Sequence, residues 1–187
     1  LYHWRTHPAS TAENPESKMY CYEAGKRAIE AHLKRTGTEG TVEMLPGYAG
    51  YYHVEYPVEG EPLVSILIPN KDQKETLMNC IRSIQEKSTY RNYEIIIIEN
   101  NSETEEIEDC YRQLEAQGLR VIRWEGPFNY AAINNYGAAR AAGEYLLLLN
   151  NDTEVIAPGW IEAMLGNCQR PEVGAAGAKL YYEDHTI

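Results

Sequence analysis

Three stretches of this chain end an apolar run in residues that suit metal and phosphate chemistry. Tyr145-Leu146-Leu147-Leu148-Leu149 runs into Asn150-Asn151-Asp152-Thr153-Glu154, Leu63 to Ile68 into Pro69-Asn70-Lys71-Asp72, and Glu94 to Ile98 into Glu99-Asn100-Asn101-Ser102. A lone carboxylate such as Asp152, flanked by amides, offers the hard oxygen donors through which a divalent cation is shared with a phosphate. Glu99 and Asn100 suit base recognition instead, since a carboxylate or amide accepts the imide N–H of a uracil or thymine ring and a neighbouring amide adds a further bond. Each tip alone also reads as a turn, since Asn, Asp, Ser and Thr follow any strand readily. Ser102 is expected to cap the next helix in either case. Three tips sharing one chemistry is what separates the two readings.

To act together, the tips must lie on one rim. The run bounded by Gly143 and Asn150 reads as a strand buried on both faces, which belongs to a parallel sheet. Asp72 with Glu75 is a capping-box-like start, and Leu77, Cys80, Ile81 and Ile84 give one apolar helix face. Ile107, Cys110, Tyr111 and Leu114 repeat that spacing, with Gly118 as the stop. Arg120 to Trp124 reads as another strand, and Asn129 as the cap of an alanine-rich helix through Ala142 that must approach the sheet closely. A last strand is expected over Val173 to Tyr182, with Glu183 and Asp184 exposed beyond it. Alternating strands and helices predict a doubly wound α/β layer whose ligands sit at the carboxyl rim.

Asp72, Glu99 and Asp152 would make that rim acidic. At an effective dielectric near 20, a like-charge pair about 5 Å apart costs roughly 3 kcal/mol, about a hundredfold in affinity, so a bare phosphate site is disfavoured. A divalent cation between Asp152 and a diphosphate reverses the sign and stabilises the diphosphate as a leaving group. The net charge of −11, with no Lys/Arg cluster, excludes a nucleic-acid partner. The chain carries no G-x-G-x-x-G after its first long apolar run, no P-loop, no G-x-S-x-G elbow and no zinc-type Cys/His group.

Residues 1–60 read as an appendage and linker, with the main domain over 61–187. Lys18 to Thr36 predicts a helix with Tyr22, Ile29 and Leu33 on one stripe and Gly37 as the stop, and Thr41 to Leu45 and Tyr51 to Tyr56 alternate like short strands. His3 and His7 have helical metal-ligand spacing, but Pro8 opposes a helical turn there, and a surface pair is the simpler reading. Cys21, Cys80, Cys110 and Cys168 lack C-x-x-C spacing and are expected to be reduced, buried thiols. No run approaches a membrane span and no signal-peptide core opens the chain, which predicts a cytoplasmic protein, at or away from the inner face of the membrane. The abrupt ends suggest a piece of a longer protein.

Taken in order, Val64-Ser65-Ile66-Leu67-Ile68-Pro69, Ile97-Ile98-Glu99-Asn100-Asn101-Ser102, Asn134-Asn135-Tyr136-Gly137-Ala138-Ala139 and Leu149-Asn150-Asn151-Asp152-Thr153-Glu154 resemble family 2 glycosyltransferases of the GT-A fold. The resemblance runs from about Pro62 to the end. It implies a truncated GT-A domain, Rossmann-like with helices on both faces of a mostly parallel sheet, and a short N-terminal helical appendage. It implies a donor nucleotide held by Pro69, Asn70, Asp72, Glu99, Asn100, Asn134 and Asn150, with Asp152 on Mn²⁺ or Mg²⁺. Glu99 stands where the family usually has Asp, and Asn150 replaces the first Asp of its D-x-D motif.

The function so implied is inverting, metal-dependent transfer from a UDP- or dTDP-sugar to a growing cell-surface polysaccharide. The saccharide acceptor and the catalytic base belong to a following half, so no base is assigned. The appendage resembles the tail of a preceding module in multi-module bacterial polysaccharide glycosyltransferases, with His3, Arg5 and His7 serving an adjacent module or nothing. The rival reading is a non-catalytic nucleotide-sugar or protein-interaction module. A nucleotidyltransferase is disfavoured by the lack of a glycine- and Arg/Lys-rich loop after the first run.

Overall fold

The computed structural model describes residues 3, 18–184 and 186–187. The chain divides into two compact units, Leu1–Pro57 and Val58–Ile187. Of the candidate residues in the first segment, Arg5 and His7 lie outside the described residues, and His3 is exposed.

The first unit holds helix α1 (Met19–Thr36) and a two-stranded antiparallel sheet of β1 (Thr41–Met44) and β2 (Tyr52–Glu55). Gly37 ends α1 in the left-handed conformation, φ 70°, and its N–H reaches the Leu33 and Lys34 carbonyls as a C-cap. Leu33 and Val42 are buried. The Tyr52 hydroxyl donates to the Tyr22 carbonyl at 2.7 Å and lies over Gly25, where a Cβ would collide with it. Cys21 is exposed and Cys168 half-buried, so burial is confined to Cys80 and Cys110. Of α1 only Leu33 is buried, so Cys21 at its first turn stays exposed.

In the second unit the elements are β3 (Val64–Asn70), α2 (Lys74–Lys87), β4 (Tyr93–Glu99), α3 (Glu105–Ala116), β5 (Arg120–Arg123), α4 (Tyr130–Ala138), β6 (Tyr145–Leu148) and α5 (Trp160–Cys168). The strands form one parallel sheet, β5-β4-β3-β6. Alternation splits the core between its faces. Ile66, Ile68, Ile95 and Ile97 pack with Leu77, Ile81 and Ile84 of α2, Ile107 and Leu114 of α3, and Ile161 and Leu165 of α5. Leu67, Ile96 and Ile98 pack with Ile133 of α4 on the other face. Gly137 provides the close approach, since a Cβ there would collide with the Ile98 side chain.

Five local expectations are corrected. β6 is an edge strand, and Leu146 and Leu148 are 49% and 50% exposed, because α4 covers Leu67, Ile96 and Ile98 and not β6. Helix α4 stops at Ala138, short of Ala142, because the Ala142 N–H donates to the Glu94 carboxylate at 2.7 Å and leaves the helical ladder. Residues 173–182 form no strand. Asp72 does not cap α2: its φ is 56°, and its carboxylate accepts the N–H groups of Glu103 and Thr104, ahead of α3, at 2.7 and 3.2 Å. The capping role expected of Ser102 thus falls to a residue from another loop.

Candidate functional site

The register brings the polar tips level. Asn70 ends β3 opposite Glu99 of β4, Glu99 pairs with Arg123 of β5, and Leu149 donates to the Leu67 carbonyl, so Asn150, Asn151 and Asp152 emerge on the same rim. At that rim lies a cavity of about 420 Å³ lined by Pro69, Asn70, Lys71, Asn100, Asn101, Phe128 and Asn151. Of the residues expected in a donor site, Pro69, Asn70 and Asn100 line it. Asp72, Glu99, Asn134, Asn150 and Asp152 are not among the lining residues.

Each absence has a local cause. Asp72 is committed to the α3 N-terminus, and the Glu103 N–H holds its carboxyl below the usual aspartate range. Glu99 is 5% exposed; one oxygen accepts the Ser102 N–H at 2.5 Å and the other lies 3.5 Å from Arg123, which forks onto Glu108. The Asn134 amide donates to the Tyr130 carbonyl at 2.9 Å inside its own helix, and its buried Oδ1 has no partner among the described residues. Asn150 and Asp152 are exposed. Two of the three acids thus have their oxygens engaged by local donors, and only Asp152 is left without a hydrogen-bond or ion-pair partner among the described residues. The wall of the cavity itself is amide-rich with one cation, Lys71, whose pairing to exposed Glu103 at 3.4 Å is weak.

The amides are held by the backbone and by each other. The Asn100 N–H donates to the Asn70 carbonyl at 2.9 Å, extending the sheet by one bond past Glu99. Asn101 adopts φ 52°, a conformation that Asn tolerates, and its amide donates to the Gly126 carbonyl at 2.9 Å. Asn151 donates to Asn70 Oδ1 at 2.6 Å, and Asn70 donates to the buried Tyr111 hydroxyl at 2.8 Å. Burial pushes the Tyr111 phenol up, so it stays protonated. Burial likewise pushes the Cys80 thiol, behind Asn150, up to about 12, which makes it inert as a nucleophile or metal ligand.

Among the described residues no group of three His, Cys, Asp or Glu side chains comes together. Asp152 makes no hydrogen bond or ion pair with any described residue. One free carboxylate beside amide oxygens fits a hard cation that takes its remaining ligands from phosphate and water, the usual arrangement for Mg²⁺ or Mn²⁺. It does not fit a site closed by protein ligands alone. Sequence reading gave no special place to Asn101, Phe128 or Tyr111: Tyr111 reads as one more apolar-stripe position, and a lone aromatic before a helix cap carries no signal. No helix of the described residues is long and apolar enough to cross a membrane.

Among relatives, the uncharacterized protein y4gI of Sinorhizobium fredii is 42% identical over 189 residues, covering 100% of this chain and 21% of that protein. The O-antigen biosynthesis protein RfbC of Myxococcus xanthus is 38% identical over 187 residues, covering 100% of this chain and 14% of that protein. The chain thus spans about a fifth or less of these relatives. A solved structure, the mannosyltransferase PcManGT from Pyrobaculum calidifontis in complex with GDP-Man and Mn²⁺, superposes with a TM-score of 0.55 at 16% identity, over 82% of this chain and 43% of that one, a likeness of fold alone. The model of the family described as glycosyl transferase family 2 matches residues 65–186.

Proposed function

Because the chain belongs to glycosyl transferase family 2, we propose that its second unit binds a nucleotide-diphosphate sugar for metal-dependent, inverting transfer to a growing cell-surface polysaccharide. The observation that carries this reading is the meeting of three parallel strand tips at one amide-lined cavity. Asn100 and Asn101 offer donors and acceptors to a base edge, which suits the imide of a uracil or thymine. Glu99, the expected reader of that imide, has both oxygens engaged, so it acts through the loop that it holds. Lys71 supplies positive charge for the diphosphate. Asp152, with Asn150 beside it, is the residue to hold Mg²⁺ or Mn²⁺. When bound, that cation offsets the diphosphate charge and stabilises the departing nucleotide. The relative RfbC, an O-antigen biosynthesis protein, supports the polysaccharide, and the mannosyltransferase complex with GDP-Man and Mn²⁺ supports the metal.

The test is a melting series on the whole chain with UDP, dTDP and GDP, each with and without MnCl₂. A ligand at a hundred times its Kd adds about 2.7 kcal/mol, or roughly 5–10 °C for a domain of this size. A nucleotide with Mn²⁺ is expected to give that shift, and Asp152→Ala to remove the metal-dependent part. A melting curve unmoved by every nucleotide with metal overturns the reading in favour of an interaction module.

A further inference from the structure

The loop that carries Asp152 leaves β6, an edge strand paired with β3 alone among the described strands. Two anchors bracket it. Leu149 donates to the Leu67 carbonyl at 3.0 Å, and Val155 donates to Ser83 Oγ at 3.0 Å while its carbonyl accepts Lys87 Nζ at 2.8 Å. Between them, the Cys80 thiol lies 3.8 Å from the Asn150 carbonyl, a weak contact, and the strong bond is Asn151 Nδ2 to Asn70 Oδ1 at 2.6 Å.

Asn70 is held in turn from beneath. It is 3% exposed, and its Nδ2 donates to the hydroxyl of Tyr111, which is 1% exposed and packed in the core with α2 and α3 side chains. The Tyr111 oxygen lies 3.3 Å from Ser102 Oγ, which accepts the Asp72 N–H at 3.1 Å. One hydroxyl thus stands where bonds from the tips of β3 and β4 and from the loop after β6 converge. Without it, a buried amide N–H of Asn70 loses its partner, a cost larger than the net worth of the bond. The amide is then driven to rotate toward another acceptor, and the bond to Asn151 goes with it.

We propose that Tyr111 is a positioning residue for the donor site, latching the Asn151-Asp152 loop to the sheet through Asn70. The inference rests on the nucleotide-sugar reading for its consequence in binding, though the relay itself stands on the hydrogen bonds. Tyr111→Phe removes the hydroxyl and keeps the ring that fills the core. The metal-dependent gain in nucleotide affinity then falls about 5- to 10-fold, the factor of one lost hydrogen bond. Binding without metal falls less than the metal-dependent part, since of the cavity wall only Asn70 and Asn151 belong to the relay while Asn100 and Asn101 keep their own anchors.

The experiment uses the whole chain and two readouts. Titration calorimetry with UDP, with and without MnCl₂, gives the metal-dependent ratio for wild type and Tyr111→Phe. Side-chain amide ¹⁵N–¹H spectra of the ligand-free proteins give the Asn151 NH₂ pair, which is expected to shift and to exchange faster with water in the variant. Should the Phe protein fail to fold, Asn70→Ser cuts the relay one residue higher and is expected to move the same Asn151 signals. A folded Tyr111→Phe with Asn151 signals and metal ratio both unchanged overturns the proposal, as does an equal loss with and without metal. A wild-type chain that binds no nucleotide overturns the donor-site reading instead, and the ligand-free spectra still decide the relay.

Discussion

The two ends of the parallel sheet are built to opposite rules. At the amino-terminal rim most polar groups close on each other, the buried Glu162 Oε2, whose partner oxygen accepts from Thr89, being the exception among the described residues. Glu94 accepts from Ser65 Oγ at 2.6 Å, the Ala142 N–H at 2.7 Å and Arg120 at 2.7 Å; Ser65 Oγ accepts the Gly143 N–H at 2.9 Å, and Arg120 also binds the Arg140 carbonyl. At the carboxyl rim, exposed Asp152 makes no hydrogen bond or ion pair with any described residue, and amides line an open cavity. The same strands deliver both. Satisfied polar groups stabilise the fold, and unsatisfied ones are what a ligand can bind, so a sheet that must do both separates them by its length.

Substitutions at the two rims should therefore act on different measurements. The largest loss of stability is expected for Gly143→Ala, where a Cβ would sit 2.7 Å from the Leu63 carbonyl oxygen and the Ser65 nitrogen, backbone atoms that cannot yield. About 3 kcal/mol, read as a fall in the urea midpoint, is the expected cost, with nucleotide affinity of the folded fraction unchanged. Normal stability in that variant would break the contrast between the rims.

Glu94→Gln comes next, at about 2 kcal/mol near neutral pH. Burial pushes the Glu94 carboxyl up, but the bonds from Ser65, the Ala142 N–H and Arg120 together outweigh it, and its folded value lies below that of an ordinary glutamate. A lowered carboxylate stabilises fully above the unfolded value, near 4.3, and loses that contribution as the pH falls through the folded one. The gap between wild type and variant should therefore be flat from pH 7 to 5 and close below about 4. A gap that persists at pH 3 would mean that the charge is not the cause.

Asp72→Ala removes the acceptor at the head of α3 and is expected to cost about 1 kcal/mol, with a broader melting transition. Asp72→Asn, which keeps an acceptor and tolerates the positive φ, should recover most of it. Smallest on stability is Asp152→Ala, expected within about 0.5 kcal/mol of wild type because the residue is exposed and has no partner among the described residues. Its effect should fall on metal-dependent nucleotide binding alone, which sharpens the division between the rims.

Much of this was legible in order along the chain. The periodicity of Leu77, Cys80, Ile81 and Ile84 located α2, that of Ile107, Cys110, Tyr111 and Leu114 located α3, and Asn129 was readable as a cap because its partner, the Ala132 N–H, is three residues away. Local rules suffice where partners are local. They failed for Asp72 and Ser102, whose hydrogen bonds cross between loops, and for β6, whose apolar run says nothing about whether a neighbour covers it.

The residues themselves, then, determined that strands and helices alternate, that the strands run parallel and that amides and acids gather at their carboxyl ends, because hydrophobic period and chain direction are properties of sequence. Which acids stay free was decided in three dimensions. Glu99 met the Ser102 N–H and Arg123, Asp72 met α3, and Asp152 found no hydrogen-bond or ion-pair partner among the described residues, since whether a charge is available depends on which groups from distant parts of the chain arrive beside it.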